Sequence, residues 1–396
     1  MASEVRVKLL VFGHNDWWVW ERQGFCTRNA AMVRELSRRP EVDVTAVIDM
    51  PRFRTRSSRT ALRSHEAVSG VAPGIVAVRH DYLIPVPSRW RAGRRLNEAL
   101  ARHALRRRIA EALGPGGPVV LWVADPRMVE ASLHYPHDLF VFDAIDDWRQ
   151  HQWAGGRSVT AGYRLAARVA ELVLAVNADL LGEVRGRGAA AVVANAIDPE
   201  PWRSAAPDTS AVPDLQRPLV GYVGGIQSRF DVRLLRAVAA RCPGMYFALA
   251  GRVSSDFVAA LRDLPSNVHL LGDLPHAHIP GLIAATDACI VPHVRDGLTR
   301  SMDPLKIYEY LAAGRPVVST VPSPNPRLAP FVRCASGAED FAAALTSEIA
   351  TDDAGRRAAR SAAAGAETWS ARVDQVLDLV SACLECVASP TKVARL

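Results

Sequence analysis

Lys306 and Glu309 stand three residues apart in the segment TRSMDPLKIYEYLAAGRPVV, which begins at Thr299. Asp303 followed by Pro304 predicts an N-cap and a first-turn proline, so a helix opens there. Gly314 closes that helix and Pro316 leads into a buried strand. On one helix face near its start, an ammonium and a carboxylate suit a ligand that joins a diphosphate to a pentose, as a nucleotide sugar does. The cation and the helix N-terminus meet the anion, and the carboxylate, with two acceptor oxygens and no donor, takes both ribose hydroxyls. A surface ion pair worth about 0.2–0.5 kcal/mol is the plain alternative. Composition speaks against it: among 48 basic residues the only lysines are Lys8, Lys306 and Lys392.

A second candidate is Gly221–Arg229, GYVGGIQSR, at a strand end before a helix. Gly224 and Gly225 let backbone approach a phosphate closely, and Arg229 offers a fork of donors. The spacing is not G-x-G-x-x-G, and no acid stands where a dinucleotide ribose would need one. Taken alone, the stretch also reads as a tight turn.

In the first half, GHNDWWVW (Gly13–Trp20) follows the first strand. Asp16, Trp17 and Trp18, with Gly24 beyond them, form an acceptor-side candidate, since aromatic faces stack on sugar rings or cover an apolar group. Rings filling an interdomain seam would read the same way. Asp143, Asp146 and Asp147 end a later strand. Asp143 is the candidate to orient or deprotonate an acceptor; capping of the next helix is its alternative.

These residues require strand ends to carry them. Apolar, β-branched runs alternate with amphipathic segments along nearly the whole chain, which predicts parallel sheets covered on both faces. Strands are expected at Val5–Phe12, Val42–Ile48, Val119–Val123, Leu139–Asp143, Leu172–Val176 and Ala191–Val193. Ala205–Pro218, polar with three prolines, reads as a linker. Strands then resume at Leu219–Val223, Tyr246–Ala250, Val268–Leu271, Ala288–Val291 and Pro316–Ser319. Helices between them include Arg91–Ala112, Val232–Ala240, Phe257–Leu264, Pro304–Ala313 and Ala338–Ile349. The expected fold is α/β: two Rossmann-like, doubly wound domains, 1–204 and 219–367, facing across a cleft with ligands at strand carboxyl ends. Residues 368–396 form a last helix that caps the second domain or crosses back to the first.

Of the net charge of +7, residues 1–200 hold 28 basic against 22 acidic side chains. Residues 52–108 alone hold 14 arginines and three acids. This is either a solvated face or attraction to an anionic partner, such as a lipid-phosphate acceptor or membrane surface. No nucleic-acid signature accompanies it. Six scattered cysteines show no disulfide framework, Cys383 and Cys386 have no second C-x-x-C, and His276 and His278 read as surface residues rather than metal ligands. With no signal-peptide pattern and no apolar run able to span a bilayer, the expected location is cytoplasmic, with contact at the inner membrane face through the arginine-rich domain.

The run P-x-K-x-x-E-Y-x-A-A-G-x-P-V-V, Pro304–Val318, resembles the donor-site helix of retaining GT-B glycosyltransferases of the cell-envelope glycan type. Gly221–Gly225, Ala194–Asp198 and Thr286-Asp287-Ala288 extend the resemblance. L-T-x-S-x-x-P-x-K from Leu298 and D-x-x-D-D-W from Asp143 are similar to teichuronic-acid-type transferases. The resemblance implies a nucleotide-sugar donor on the second domain, no obligatory metal or cofactor, and retention of anomeric configuration. It implies that Glu309 holds the ribose and that Arg229 and Lys306, beside Gly224 and Gly225, hold the diphosphate. Leu271–Leu274, including Gly272, would border the base, and Leu298, Thr299, Arg300 and Ser301 would lie beside the donor sugar. Ser301 stands where many members carry a first glutamate, and Asp296 or Asp303 is the candidate substitute. Gly225 and Phe230 replace further basic residues, which places more weight on Lys306. A nucleotide-sugar epimerase and a non-catalytic nucleotide-binding subunit are the competing readings.

Overall fold

The computed structural model describes residues 6–53, 68–82, 91–150, 156–212 and 217–388. Most of the arginine-rich stretch between 54 and 90, and 213–216 of the expected linker, lie outside the described residues. The chain divides into two compact units. The first comprises the described residues up to Ala175, Leu181–Val193 and those from Val373 on; the second comprises Val176–Leu180 and Ala194–Arg372.

The first unit is built on β1 (Val7–Phe12), β2 (Val42–Ile48), β3 (Arg52–Phe53), β4 (Val68–Ala72), β5 (Ile75–Val78), β6 (Asp81–Tyr82), β7 (Val119–Val123), β8 (Leu139–Ala144), β9 (Leu172–Ala175) and β10 (Ala189–Val192). Eight of them form one sheet in the order β10-β9-β8-β7-β1-β2-β5-β4, and β3 pairs with β6. Every residue of β1, β8 and β9 is buried, as strands covered on both faces must be. Among the described strands of this unit, only the β4–β5 pair is antiparallel. Its connection is Pro73-Gly74, with Gly74 at φ +74, where a type II turn needs glycine.

The second unit carries β11 (Leu219–Val223), β12 (Tyr246–Ala250), β13 (Val268–Gly272), β14 (Ala288–Val291), β15 (Val317–Ser319) and β16 (Val332–Cys334). They form one sheet ordered β13-β12-β11-β14-β15-β16, with every pairing parallel. Alternate residues go to opposite faces. Tyr246, Ala248 and Ala250 join one apolar layer with Ile307, Tyr310 and Leu311; Phe247 and Leu249 join the other with Leu235, Val238 and Phe341. Helices Ile279–Ala285 and Leu305–Ala312 cover the first layer, and helices Val232–Arg241 and Gly337–Ala350 cover the second. β11 begins the unit in mid-sheet; β12 and β13 lie on one side of it, β14 to β16 on the other. The sense of winding therefore reverses between β11 and β14, and such a switch point opens a crevice at the strand carboxyl ends.

Two expectations need amendment, the end of the first domain and the helix at Phe257–Leu264. Ala194–Ser204 groups with the second unit rather than the first. Hydrogen bonds explain this: Asn195 N–H donates to Asp303 (2.8 Å) and Ile197 N–H to the Glu367 carbonyl (2.9 Å). The last helix, Trp369–Ala388, contributes to the second unit through Arg372 and to the first from Val373 onward. Phe257–Leu264 holds only a 3-10 turn at Val258–Leu261, because Asp263 adopts a left-handed φ of 57 and Pro265 follows.

Candidate functional site

The helix with the paired ionisable residues runs Leu305–Ala312, with Pro304 at its N-cap position. Asp303 does not cap it. Its carboxylate is buried and accepts from Asn195 N–H and Tyr308 Oη, each at 2.8 Å. Asp296 is also engaged: it caps helix Gly297–Ser301 in a reciprocal box with Thr299. The two acids offered as substitutes at the Ser301 position thus hold backbone and tyrosine instead. Gly314 ends the helix at φ +72, with Arg315 N–H bonded to the Tyr310 carbonyl at 2.9 Å.

At the β11 end, Gly224 takes φ +128 and Gly251, at the β12 end, takes φ +144. A Cβ on Gly251 would lie 2.1 Å from the Gly224 carbonyl oxygen, so two strand ends press together where only glycine fits. Gly251 N–H donates to the Gly272 carbonyl at 2.7 Å, which brings the end of β13 alongside. Leu271 is half-buried against the core, and Gly272 is exposed at φ +75.

Lys306 meets this glycine turn. Its Nζ lies 2.9 Å from where a Gly224 Cβ would stand. It donates to Tyr222 Oη at 2.9 Å and sits 4.0 Å over that ring. No ion pair joins Lys306 to Glu309 among the described residues. Burial first, then the charge of Arg229, holds the Lys306 ammonium well below its ordinary range; Glu309 opposes this. Burial pushes the Glu309 carboxyl up to about 7, with Lys306 pulling it down. Arg229 reaches toward Gly225, a Cβ on which would lie 3.9 Å from its Nη2. With its amide oxygen facing the guanidinium, Gln227 accepts from Arg229 at 3.1 and 3.3 Å. The structure therefore brings Gly224, Gly225, Arg229, Lys306 and Glu309 to one strand end beside the switch point. Two cations and a carboxylate with oxygens to offer can hold an anion next to a diol.

Leu298, Thr299 and Ser301 are buried and Arg300 is exposed. Thr299 Oγ1 donates to the Val294 carbonyl and Ser301 Oγ to the Leu298 carbonyl, both at 2.7 Å. Both hydroxyls thus hold the local turn.

His293, two residues past β14, was not singled out from sequence. It is buried, and neither ring nitrogen has a hydrogen-bond partner among the described residues; the same holds for Arg229 Nε. Each orphaned buried group costs about 1–3 kcal/mol. Burial, then Lys306 and Arg229, holds His293 well below its usual range, so the imidazole is neutral. A lone histidine after an apolar strand carries no spacing signal. His276 and His278 lie exposed in a 3-10 turn.

In the first unit, Asp16 to Gly24 form a short helix, Trp17–Arg22, and its turn. Trp17 and Trp20, three apart, face inward; Trp17 packs on Trp20 and Phe25, with ring centres 6.3 and 5.1 Å away. Trp18 faces outward, 41% exposed, under the Arg22 guanidinium at 5.4 Å. Asp16 accepts from Met50 N–H (2.7 Å) and Trp18 Nε1 (3.0 Å). Of the tryptophan cluster, Trp18 is the exposed ring and Trp17 and Trp20 are core. Gly24 takes φ +66. Asp143 is fully buried, and its carboxylate takes three bonds from Arg28, at 2.9 to 3.3 Å. Among the described residues no cluster of three or more His, Cys, Asp or Glu is placed to hold a metal ion, and no helix is long and apolar enough to cross a membrane.

The comparisons with known proteins bear on the same unit. Residues 217–350 match the model of the family described as glycosyl transferases group 1. TuaH of Bacillus subtilis (strain 168), a protein assigned as a teichuronic acid biosynthesis glycosyltransferase, is 26% identical over 259 residues. That match covers 60% of this chain and 65% of the relative's length. Among solved structures, sucrose-phosphate synthase from Thermosynechococcus elongatus superimposes with a TM-score of 0.70 at 15% identity, covering 96% of this chain and all of that one. Alr3699/HepE from Anabaena, solved with UDP and glucose, gives 0.61 at 16% identity over 95% of this chain and all of that one. Residues 217–350 thus form a group 1 glycosyl transferase domain, in a chain with the two-domain α/β fold of the GT-B glycosyltransferases.

Proposed function

We propose that the chain transfers a sugar from a nucleotide diphosphate sugar to an acceptor, and that its second unit holds the donor. One observation carries this: Lys306 Nζ sits against the Gly224 turn at the β11/β14 switch point, with Arg229 beside it and Glu309 one helical turn on. Lys306 and Arg229 take the diphosphate, and Glu309 accepts the ribose hydroxyls. Gly272 and Leu271 border the base. The relationship to TuaH and the fold shared with a protein solved with UDP and glucose support the reading. Catalysis would come mainly from positioning and from stabilising charge on the departing phosphate.

A thermal-shift panel of nucleoside diphosphates and their sugars tests it. At a hundredfold excess over Kd, the right nucleotide stabilises the fold by about 2.7 kcal/mol. Mass spectrometry with candidate acceptors then follows. No stabilisation by any nucleotide removes the proposal, and conversion of the sugar without acceptor assigns an epimerase instead.

Glu309 gives a pH signature. Its carboxyl is raised to about 7 in the folded protein, so its contribution to stability is present below the unfolded value of 4.5 and is lost as pH rises through 7. Ribose binding needs the ionised form. Affinity for a nucleotide sugar, whose diphosphate has no proton to lose in this range, rises from pH 6 to pH 8. In Glu309→Gln the rise disappears, and comparison of the two proteins separates this carboxyl from Lys306. Parallel profiles in both would remove Glu309 from the ribose.

We further propose that the acceptor side works at an anionic lipid surface. On helix Arg91–Leu113, Leu96 and Leu100, one turn apart, are 62% and 42% exposed beside arginines. The protein should float with anionic vesicles at low salt and be released at high salt; salt-independent flotation dismisses the idea.

A further inference from the structure

Two complementary groups are left unsatisfied beside the proposed diphosphate site. Among the described residues, Arg229 Nε–H is a buried donor without an acceptor, and the His293 imidazole is buried with both nitrogens unpartnered. They lie on segments that are already bonded to each other. Val294 N–H donates to the Arg229 carbonyl at 2.8 Å, and Phe230 bridges His293 in antiparallel fashion. The next layer is fixed: Phe230 packs edge-on to Tyr222, with ring centres 4.8 Å apart, and Tyr222 carries Lys306. Buried polar groups of folded proteins are nearly always bonded, so a matched pair of orphans needs an explanation.

We propose that His293 is a positioning residue for the donor: when the diphosphate binds, the imidazole accepts from Arg229 Nε–H and locks the guanidinium with both Nη groups on the anion. This rests on the donor-site reading above. The charged groups that act on His293 are Lys306 and Arg229, and both favour the neutral ring that can accept. With Nε tied to the protein, each Nη keeps one N–H for the phosphate beyond the one it gives to Gln227, in the planar geometry that suits the anion. Lys306 already has Tyr222 as a partner and needs no such support.

The test uses the full chain and calorimetry with UDP, GDP, ADP and dTDP, taking the tightest binder as probe. His293→Phe keeps the ring shape and removes both nitrogens. Its Kd for the probe should rise roughly tenfold. Its unliganded melting temperature should stay level or rise, since two orphaned nitrogens become carbon. His293→Asn or His293→Gln, each restoring an acceptor at one of the two nitrogen positions, should recover most of the affinity. In an Arg229→Ala background, His293→Phe should add nothing. Wild-type affinity in His293→Phe while Arg229→Ala is weakened overturns the proposal and leaves the donor site standing. A matching loss of thermal stability with no rescue assigns a structural role and overturns it as well, and so does an additive double mutant. Wild-type affinity in Arg229→Ala itself overturns the site beneath it.

Discussion

Calorimetry on Lys306→Ala should give a Kd for the preferred nucleoside diphosphate at least ten times that of wild type. A hydrogen bond to a charged group is worth about 1.5–3 kcal/mol, or roughly ten- to a hundredfold in affinity. The upper part of that range is expected, because Gly225 and Phe230 leave few other cations at the phosphates, and Phe230 is buried in the core. Lys306→Arg should not rescue. Nζ already sits 2.9 Å from where a Gly224 Cβ would lie, so a compact head fits and a planar fork does not. Free Lys306 is held below its ordinary range by burial and Arg229; an arriving anion favours its charged form, so binding should draw protons toward it. Wild-type affinity in Lys306→Ala would move the diphosphate elsewhere.

How much of this was legible in the residues depends on the range of the interactions involved. The continuous apolar strands, such as Tyr246–Ala250 and Ala288–Val291, were readable because burial on both faces leaves a mark on every position. The β4–β5 hairpin was not: it is an edge pair, partly exposed, inside an arginine-rich stretch. The Lys306–Glu309 spacing was readable because one helical turn is a local rule. The lysine argument also extends to Lys8, whose Nζ donates to the Gly114 and Pro115 carbonyls at 3.0 and 2.6 Å. Both described lysines thus sit where a small cationic head is needed. Asp303, however, reads locally as a cap, whereas its partners are Asn195 and Tyr308. The same long-range bonds move the unit boundary to Ala194. His293 acquires meaning only beside the Arg229 segment, and no pattern within either stretch announces the other. The three tryptophans sorted by helical phase, which the unrecognised helix Trp17–Arg22 imposes.

Asp143→Ala should lower the stability of the first unit by about 3–5 kcal/mol, because it removes one partner of a buried ion pair and takes away the carboxylate that accepts from Arg28. Arg28 is 4% exposed and opens helix Arg28–Leu36, so it cannot reach water without disturbing that helix. The measurement is the urea midpoint of the first unit's unfolding transition, with the slope monitored for a change in the denatured state. The decisive comparison is the double variant Arg28→Met with Asp143→Leu. Replacing both partners of a buried pair by apolar groups of similar size is often neutral or stabilising, so the midpoint should return. If Asp143 serves only to hold Arg28, the double variant should also regain glycosyl transfer once an acceptor is found. If Asp143 instead moves an acceptor proton, the double variant will be stable and inactive. A wild-type midpoint in Asp143→Ala would show that the pair contributes little to the fold. On the geometry, the carboxylate is already committed on both oxygens to Arg28, so taking a proton from an acceptor would require that pair to open.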